Sequence, residues 1–289
     1  MNTPAAPPHP FLDHPLPLAF AHRGGAADGL ENTETAFRRA VGLGYTYLET
    51  DVHTTADGEL LAFHDATLDR VTDSRGALAE LPWAAVREAR VGGTERVPRF
   101  ADLLDAFPAA RWNVDVKTES ALRPLVELIR HRDAWDRVCL GSFSERRVAR
   151  ARRLAGPRLA TSLGTGGALA VRLRAWGLPC VPPRGALAAQ VPVRHGRLTV
   201  VDRSFVRSAH ARGLQVHVWT VNEEAEMERL LDLGVDGIMT DHIEALRTVL
   251  RARGSGRSPE RRARDEARER DGRGDRGGDD RHGARTRRG

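Results

Sequence analysis

The sequence predicts an α/β fold, a (β/α)8 TIM barrel, and two observations carry that reading. Short apolar runs alternate with stretches of helical spacing along most of the chain. The strand–helix units number close to eight. About 250 residues, once a polar C-terminal tail is set aside, suit one such barrel or two ordinary domains. A doubly wound open sheet is the alternative arrangement of the same units.

The elements follow in order. Residues 1–15 are proline-rich and read as irregular. Strands are expected at 16–21, 45–52, 112–117, 138–142, 159–163, 180–182, 214–221 and 236–240, each a short apolar run. Helices are expected at 33–43, 122–131, 145–154, 203–212, 223–233 and 242–250 from their apolar spacing. Asn222 precedes a Glu-rich first turn as a cap, and Gly213 and Gly234 follow helix ends. Asp57-Gly58 is a turn before a short strand at 60–64, which makes a hairpin. Residues 66–98 then form an insertion over one rim. The barrel domain is expected over 16–252, with 253–289 as a disordered tail.

Composition narrows the function. The chain has 289 residues, 45 Lys+Arg against 39 Asp+Glu, and a net charge of +6. From Arg253 onward there are 13 arginines and 8 acids, so +5 of that +6 belongs to the tail. The basic balance therefore describes the tail and not a nucleic-acid-binding face. The tail has too few apolar residues to offset the entropy of ordering, and no nucleic-acid partner is expected beyond it. No apolar run reaches the roughly 18–20 residues of a membrane span. The start, Met1-Asn2-Thr3-Pro4, is not a basic region leading into an apolar one, so a cytoplasmic protein is expected. Cys139 and Cys180 make no metal-ligand pattern and read as small buried hydrophobes. Of the 45 basic residues, 44 are arginine; Lys117 is the single lysine.

Strand periodicity gathers the polar residues. Residues i and i+2 of a strand share a face, so Glu49, Asp51 and His53 point one way and Leu48, Thr50 and Val52 the other. In the same way Asn113, Asp115 and Lys117 oppose Val114 and Val116. In a barrel the apolar sets pack under the helices, and the polar sets reach the C-terminal mouth where barrel active sites lie. Glu49, Asp51 and Asp115 are then expected to converge. A divalent cation removes the cost of such crowded carboxylates, and oxygen-only ligation favours Mg²⁺, Ca²⁺ or Mn²⁺ over zinc. Ion pairing of the acids with rim arginines is the other reading.

The first strand runs into His22-Arg23-Gly24-Gly25. Arg23 offers a planar fork for phosphate oxygens, and the glycines permit close backbone approach. His64 ends the hairpin strand, with Asp65 placed to orient it. Two histidines beside a hard cation supply a base for a nucleophile and an acid for a leaving alkoxide, while Arg23 and the cation offset charge on a phosphate. Lys117, two residues from Asp115, is a compact cation where a longer arginine fork does not easily fit.

These residues resemble the glycerophosphodiester phosphodiesterase family, in its compact cytoplasmic bacterial type. The resemblance spans most of residues 16–250: Ala21-His22-Arg23-Gly24, Glu31-Asn32-Thr33, Glu49-Thr50-Asp51-Val52, Thr55-Ala56-Asp57-Gly58, His64-Asp65 with Leu68-Asp69-Arg70, Asp115-Val116-Lys117, Trp219-Thr220-Val221-Asn222, and Gly234-Val235-Asp236-Gly237 with Thr240-Asp241. It implies a TIM barrel, and His22 and His64 as the acid–base pair. It implies Arg23 and Lys117 on the phosphate, and Glu49 and Asp51 on the metal, with Asp115 where the family commonly has a metal-binding Glu. Glu31 resembles a site-lining acid with Asn32 as a helix N-cap, and Trp219 an aromatic against the glycerol end. The expected reaction is metal-dependent hydrolysis of a glycerophosphodiester to sn-glycerol 3-phosphate and an alcohol. The alternatives are a phospholipase D- or C-like barrel enzyme acting on lysolipids or phosphoinositides, and a non-catalytic phosphate-binding barrel. The sequence sets no oligomeric state.

Overall fold

The computed structural model of the chain describes residues 9–254. The expectations for residues 1–8 and for the tail from residue 255 lie outside the described residues. In chain order the elements are β1 (Leu18–Ala21), α1 (Glu34–Gly42), β2 (Tyr47–Thr54), β3 (Leu60–Ala62), α2 (Trp83–Val86), β4 (Arg90–Val91), β5 (Glu95–Arg96), α3 (Phe100–Ala106), β6 (Arg111–Val116), α4 (Leu122–His131), β7 (Val138–Gly141), α5 (Glu145–Ala155), β8 (Ala160–Thr161), α6 (Thr165–Ala175), β9 (Ala188–Pro192), β10 (Arg194–His195), β11 (Leu198–Thr199), α7 (Arg203–His210), β12 (Gln215–Trp219), α8 (Glu224–Leu233), β13 (Gly237–Thr240) and α9 (Ile243–Gly254). By its contacts the chain divides into two units, Met1–Arg247 and Thr248–Gly289; every barrel strand lies in the first.

Eight strands pair in the order β8-β7-β6-β2-β1-β13-β12-β9, each pair parallel. The ends of this row meet. Ser162, just past β8, bridges Ala188 of β9 in parallel. The Leu163 N–H donates to the Ala188 carbonyl at 2.9 Å, and the Leu187 N–H to the Thr161 carbonyl at 2.8 Å. The sheet is therefore a nearly closed (β/α)8 barrel, not the open doubly wound alternative.

Burial explains the strand compositions. All eight residues of β2 are buried, as expected for a parallel strand covered on both faces. Outside the barrel, Trp112 of β6 meets the rings of Phe37 on α1 and Phe100 on α3 at 4.9 and 5.5 Å, both edge-on. At the N-terminal end of the barrel Phe11 and Leu12 pack with Leu18, Phe20, Tyr47 and Met239, and the Tyr47 hydroxyl donates to the Phe11 carbonyl at 2.5 Å. Residues 10–12, expected to be irregular, thus form a short helical plug.

The hairpin and insertion are present. β3 runs antiparallel to β2, with Val52 opposite Ala62. The excursion after it buries Leu68, Leu78, Val86, Val91 and Val97 with Leu61 and Phe63. One expectation is corrected. Residues 180–182 are not a strand; the sixth barrel strand is β9, whose Ala-Ala-Gln-Val-Pro lacks the β-branched run that marks a strand from sequence. Helix α6, which contains two glycines, precedes it and is not among the helices named from spacing. Of the cysteines, Cys139 is buried and Cys180 only partly so.

Candidate active site

The C-terminal strand ends open into a cavity of about 490 Å³. One side is polar, formed by His22, Arg23, Glu49, Asp51, His64, Asp115 and Lys117; the other is largely apolar and includes Phe143, Leu169, Leu198 and Trp219.

His22 is placed by a turn that only glycine completes. After β1 the chain passes through Arg23, Gly24 and Gly25, all with positive φ. A Cβ on Gly24 would sit 2.8 Å from the Ala36 Cβ of α1, so the turn lies directly on the helix. His22 Nδ1 then meets Asp241 Oδ1 at 2.6 Å, while Nε2 lies 3.8 Å from Glu49 Oε2. With a carboxylate as acceptor, Nδ1 carries the hydrogen and leaves Nε2 as the nitrogen able to accept a proton. Asp241 is itself held by Asn222, which donates to Oδ2 from Nδ2 at 3.0 Å and accepts the Asp241 N–H at 3.0 Å. Burial opposes protonation of His22, but Glu49 and Asp241 outweigh it and raise its pKa.

Glu49 and Asp51 point inward from β2 as expected. The Arg23 N–H donates to Glu49 Oε2 at 3.1 Å. Burial, then the neighbouring Asp51, pushes the Glu49 carboxyl up. Asp51 goes the other way: burial opposes its charge, but Lys117 and Arg23 overcome that and lower its pKa. Its Oδ1 lies 2.8 Å from Lys117 Nζ and its Oδ2 3.1 Å from Arg23 Nε, and Asn32 Nδ2 donates to Oδ2 at 3.2 Å. Asp115, in register with Asp51, accepts from Lys117 Nζ at 2.7 Å. Glu49, Asp51 and Asp115 line one cavity, and the Lys117 ammonium stands between Asp51 and Asp115, paired with both. Among the described residues no three His, Cys, Asp or Glu side chains form a ready metal cluster.

His64 mirrors His22. Its Nδ1 meets Asp65 Oδ1 at 2.6 Å. Arg70 donates to Asp65 at 2.5 Å from Nε and, chiefly through that bond, holds the Asp65 carboxyl down at about 2. The other face of the Arg70 fork takes Glu31 at 2.9 and 2.6 Å. Glu31 accepts from Arg23 at 3.1 Å and stands behind the arginine, not in the cavity wall. The buried His53 meets the His64 carbonyl at 3.0 Å through Nε2.

Other expected roles shift. Thr33, not Asn32, caps α1, accepting the Ala36 N–H at 3.2 Å. Asn32, at φ 58°, serves Asp51 instead. Asn222 caps no helix; it holds Asp241. Sequence periodicity missed Asp241, although it was part of a quoted motif, because it follows its strand and has no i+2 partner. Trp219 lines the cavity, edge-on to Phe143 at 5.6 Å.

Six acids (Glu31, Glu49, Asp51, Asp65, Asp115 and Asp241) surround three permanent cations, Arg23, Arg70 and Lys117. The donor set is all oxygen and fits a hard divalent cation.

A model of the glycerophosphoryl diester phosphodiesterase family matches residues 22–245. A Mycobacterium tuberculosis protein named probable glycerophosphodiester phosphodiesterase 2 is 43% identical over 263 residues, covering 88% of this chain and 98% of its own. Two solved structures share the fold. One is a glycerophosphoryl diester phosphodiesterase, so named provisionally, from Silicibacter pomeroyi, with TM-score 0.72, 24% identity, and coverage of 85% of this chain and 98% of that one. The other is an Oleispira antarctica phosphodiesterase in complex with the product sn-glycerol-3-phosphate, with TM-score 0.68, 21% identity, and coverage of 81% and 97%.

Proposed function

Because the chain belongs to the glycerophosphoryl diester phosphodiesterase family, a family of phosphoric diester hydrolases, we propose that it hydrolyses glycerophosphodiesters to sn-glycerol 3-phosphate and an alcohol by histidine acid–base catalysis with a divalent cation. The observation that carries this is the symmetry of the two histidines. Each is held at Nδ1 by a carboxylate at 2.6 Å, and both line one cavity with Arg23 and Lys117.

Arg23 and Lys117 take the non-bridging oxygens of the phosphodiester. One histidine accepts the proton of the nucleophile, water or the glycerol 2-hydroxyl, at Nε2. The other gives a proton to the alcohol oxygen as its bond to phosphorus breaks. Asp241 and Asp65 hold the rings and stabilise each imidazolium. Glu49, Asp51 and Asp115 are the residues to hold Mg²⁺, Ca²⁺ or Mn²⁺; when bound, the cation supplies charge neutralisation to the phosphoryl oxygens.

The apolar wall favours a second reading, a lysolipid as substrate. Phe143 and Leu169 are 59% and 49% exposed at the cavity, where a hydrocarbon chain gains from contact. One assay separates the two readings. Glycerophosphocholine and glycerophosphoethanolamine are to release sn-glycerol 3-phosphate, EDTA is to stop the release, and added metal is to restore it; lysophosphatidylcholine is run in parallel. Near-native turnover by both His22→Ala and His64→Ala in added metal would sink the histidine mechanism.

A further inference from the structure

From Arg146 to Val201 the chain carries 11 arginines and no aspartate, glutamate or lysine. The rest of the chain ahead of the tail has 21 basic and 31 acidic residues. A nearly neutral total thus hides a division, with +11 on one segment and −10 on the remainder. The segment runs from α5 to the β10–β11 hairpin and is continuous in the barrel wall: α5 touches α6, and the end of β8 closes onto β9.

Acids from elsewhere answer only part of this charge. Glu119 pairs with Arg147 and Arg150, Asp133 with Arg158, and Asp202 with Arg172. Arg146, Arg153, Arg174, Arg184, Arg194 and Arg197 are exposed, and their side chains make no hydrogen bond or ion pair with a described residue.

The same side carries most of the exposed apolar side chains. Seven large hydrophobic residues are exposed among the described residues, and five of them are Phe143, Leu169, Trp176, Leu178 and Val181. Leu169 and Trp176 are seven positions apart and share a face of α6 and its end. Trp176, Leu178 and Val181 are 52%, 47% and 68% exposed. The buried Arg172 holds the Trp176 indole from beneath, its Cζ 4.9 Å from the ring centroid. Apolar groups gathered beside unpaired arginines need a partner that is both anionic and apolar. A nucleic acid meets the arginines but leaves Leu178 and Val181 in water. An anionic bilayer meets both: guanidinium forks take lipid phosphates, an indole sits at headgroup level, and aliphatic side chains reach the acyl boundary.

We propose that this side of the barrel, formed by α5, α6 and the segment that follows α6, is a docking surface for an anionic phospholipid bilayer. The protein lies on the bilayer and is drawn to it by the charge division across the barrel. Phe143 and Leu169 also line the cavity, so docking sets the cavity's apolar wall beside lipid. The surface is independent of the hydrolase reading.

The test is co-sedimentation of the full chain with vesicles of phosphatidylcholine alone and of phosphatidylcholine with about one-third phosphatidylglycerol. The wild type is expected on the anionic vesicles only, with affinity falling as salt rises. Arg174→Gln with Arg184→Gln is expected to weaken binding roughly 10-fold or more, from about 5-fold for each arginine. Arg38→Gln with Arg87→Gln removes the same charge from exposed sites elsewhere and is expected to change binding by less than about 2-fold. Trp176→Ser with Leu178→Ser is expected to weaken it by about 10-fold at every salt concentration. Thermal melts confirm the fold of each variant. No binding to anionic vesicles would overturn the surface. So would binding that both patch variants keep, which would assign the attraction to the arginines of the tail. Retention on duplex DNA but not on vesicles would make the patch a nucleic-acid surface, and a stable dimer that buries Trp176 would make it an interface between copies; either result overturns the proposal.

Discussion

His22 and Asp241, 219 positions apart in the chain, meet at 2.6 Å where the first barrel strand pairs with the last. The contact joins the first and last barrel strands at His22, and Asn222 locks the aspartate on its far side. Asp241→Asn keeps the shape but offers an amide to Nδ1, which favours the wrong tautomer. Turnover is expected to fall by about 100-fold or more, with KM moving far less. Steady-state kinetics on glycerophosphocholine measure this; an unchanged kcat removes the aspartate from the mechanism.

The two sides of the site were unequally legible in the sequence. Glu49, Asp51 and Asp115 lie on strands and Lys117 follows β6 directly, so a period of two assigns each a face, and all four reach the cavity. The supports Asn32, Arg70, Asn222 and Asp241 lie in loops, which have no period, so only folding reveals whom they serve. The barrel followed the same rule: β9 and α6 went unseen because alanine, glutamine and glycine carry little strand or helix signal, and the tertiary context decides their state.

Lys117 bridges Asp51 and Asp115 at 2.8 and 2.7 Å. The two acids outweigh the cost of burial and raise the ammonium's pKa, so it stays charged. Lys117→Arg keeps the charge but puts a planar fork into a gap sized for one nitrogen. The kcat/KM is expected to fall roughly 10- to 100-fold, the worth of a charge-assisted hydrogen bond. Wild-type kinetics would return the lysine to a compositional accident.

Asp65 ties His64 to Arg70, and through Arg70 and Glu31 to Arg23. Asp65→Ala is expected to lower kcat by about 10-fold or more, whereas Arg70→Lys, which loses the fork between Asp65 and Glu31, is expected to show a smaller loss. If Arg70→Lys is the more damaging, the arginine acts on substrate directly.

Removing divalent ions is expected to abolish turnover, and Glu49→Gln to weaken metal rescue by about 10-fold or more in the concentration needed. Activity that survives exhaustive chelation would assign the acids to ion pairing alone.

His217 sets a pH dependence of stability that is independent of catalysis. Burial among Phe20, Gln190 and Gln215 pushes its pKa down to about 3. The folded state therefore refuses a proton that the unfolded chain accepts near pH 6.5. The stabilisation is complete above pH 6.5 and is lost as pH falls toward 3. Between pH 7 and pH 5 this one group removes about 2 kcal/mol. Glutamine keeps a donor and an acceptor between Gln190 and Gln215 but does not titrate. Urea unfolding of His217→Gln is thus expected to show a pH 7-to-5 loss smaller than the wild type's by about that amount. An equal loss in the two proteins would mean that His217 takes up its proton in the folded barrel as readily as in the unfolded chain.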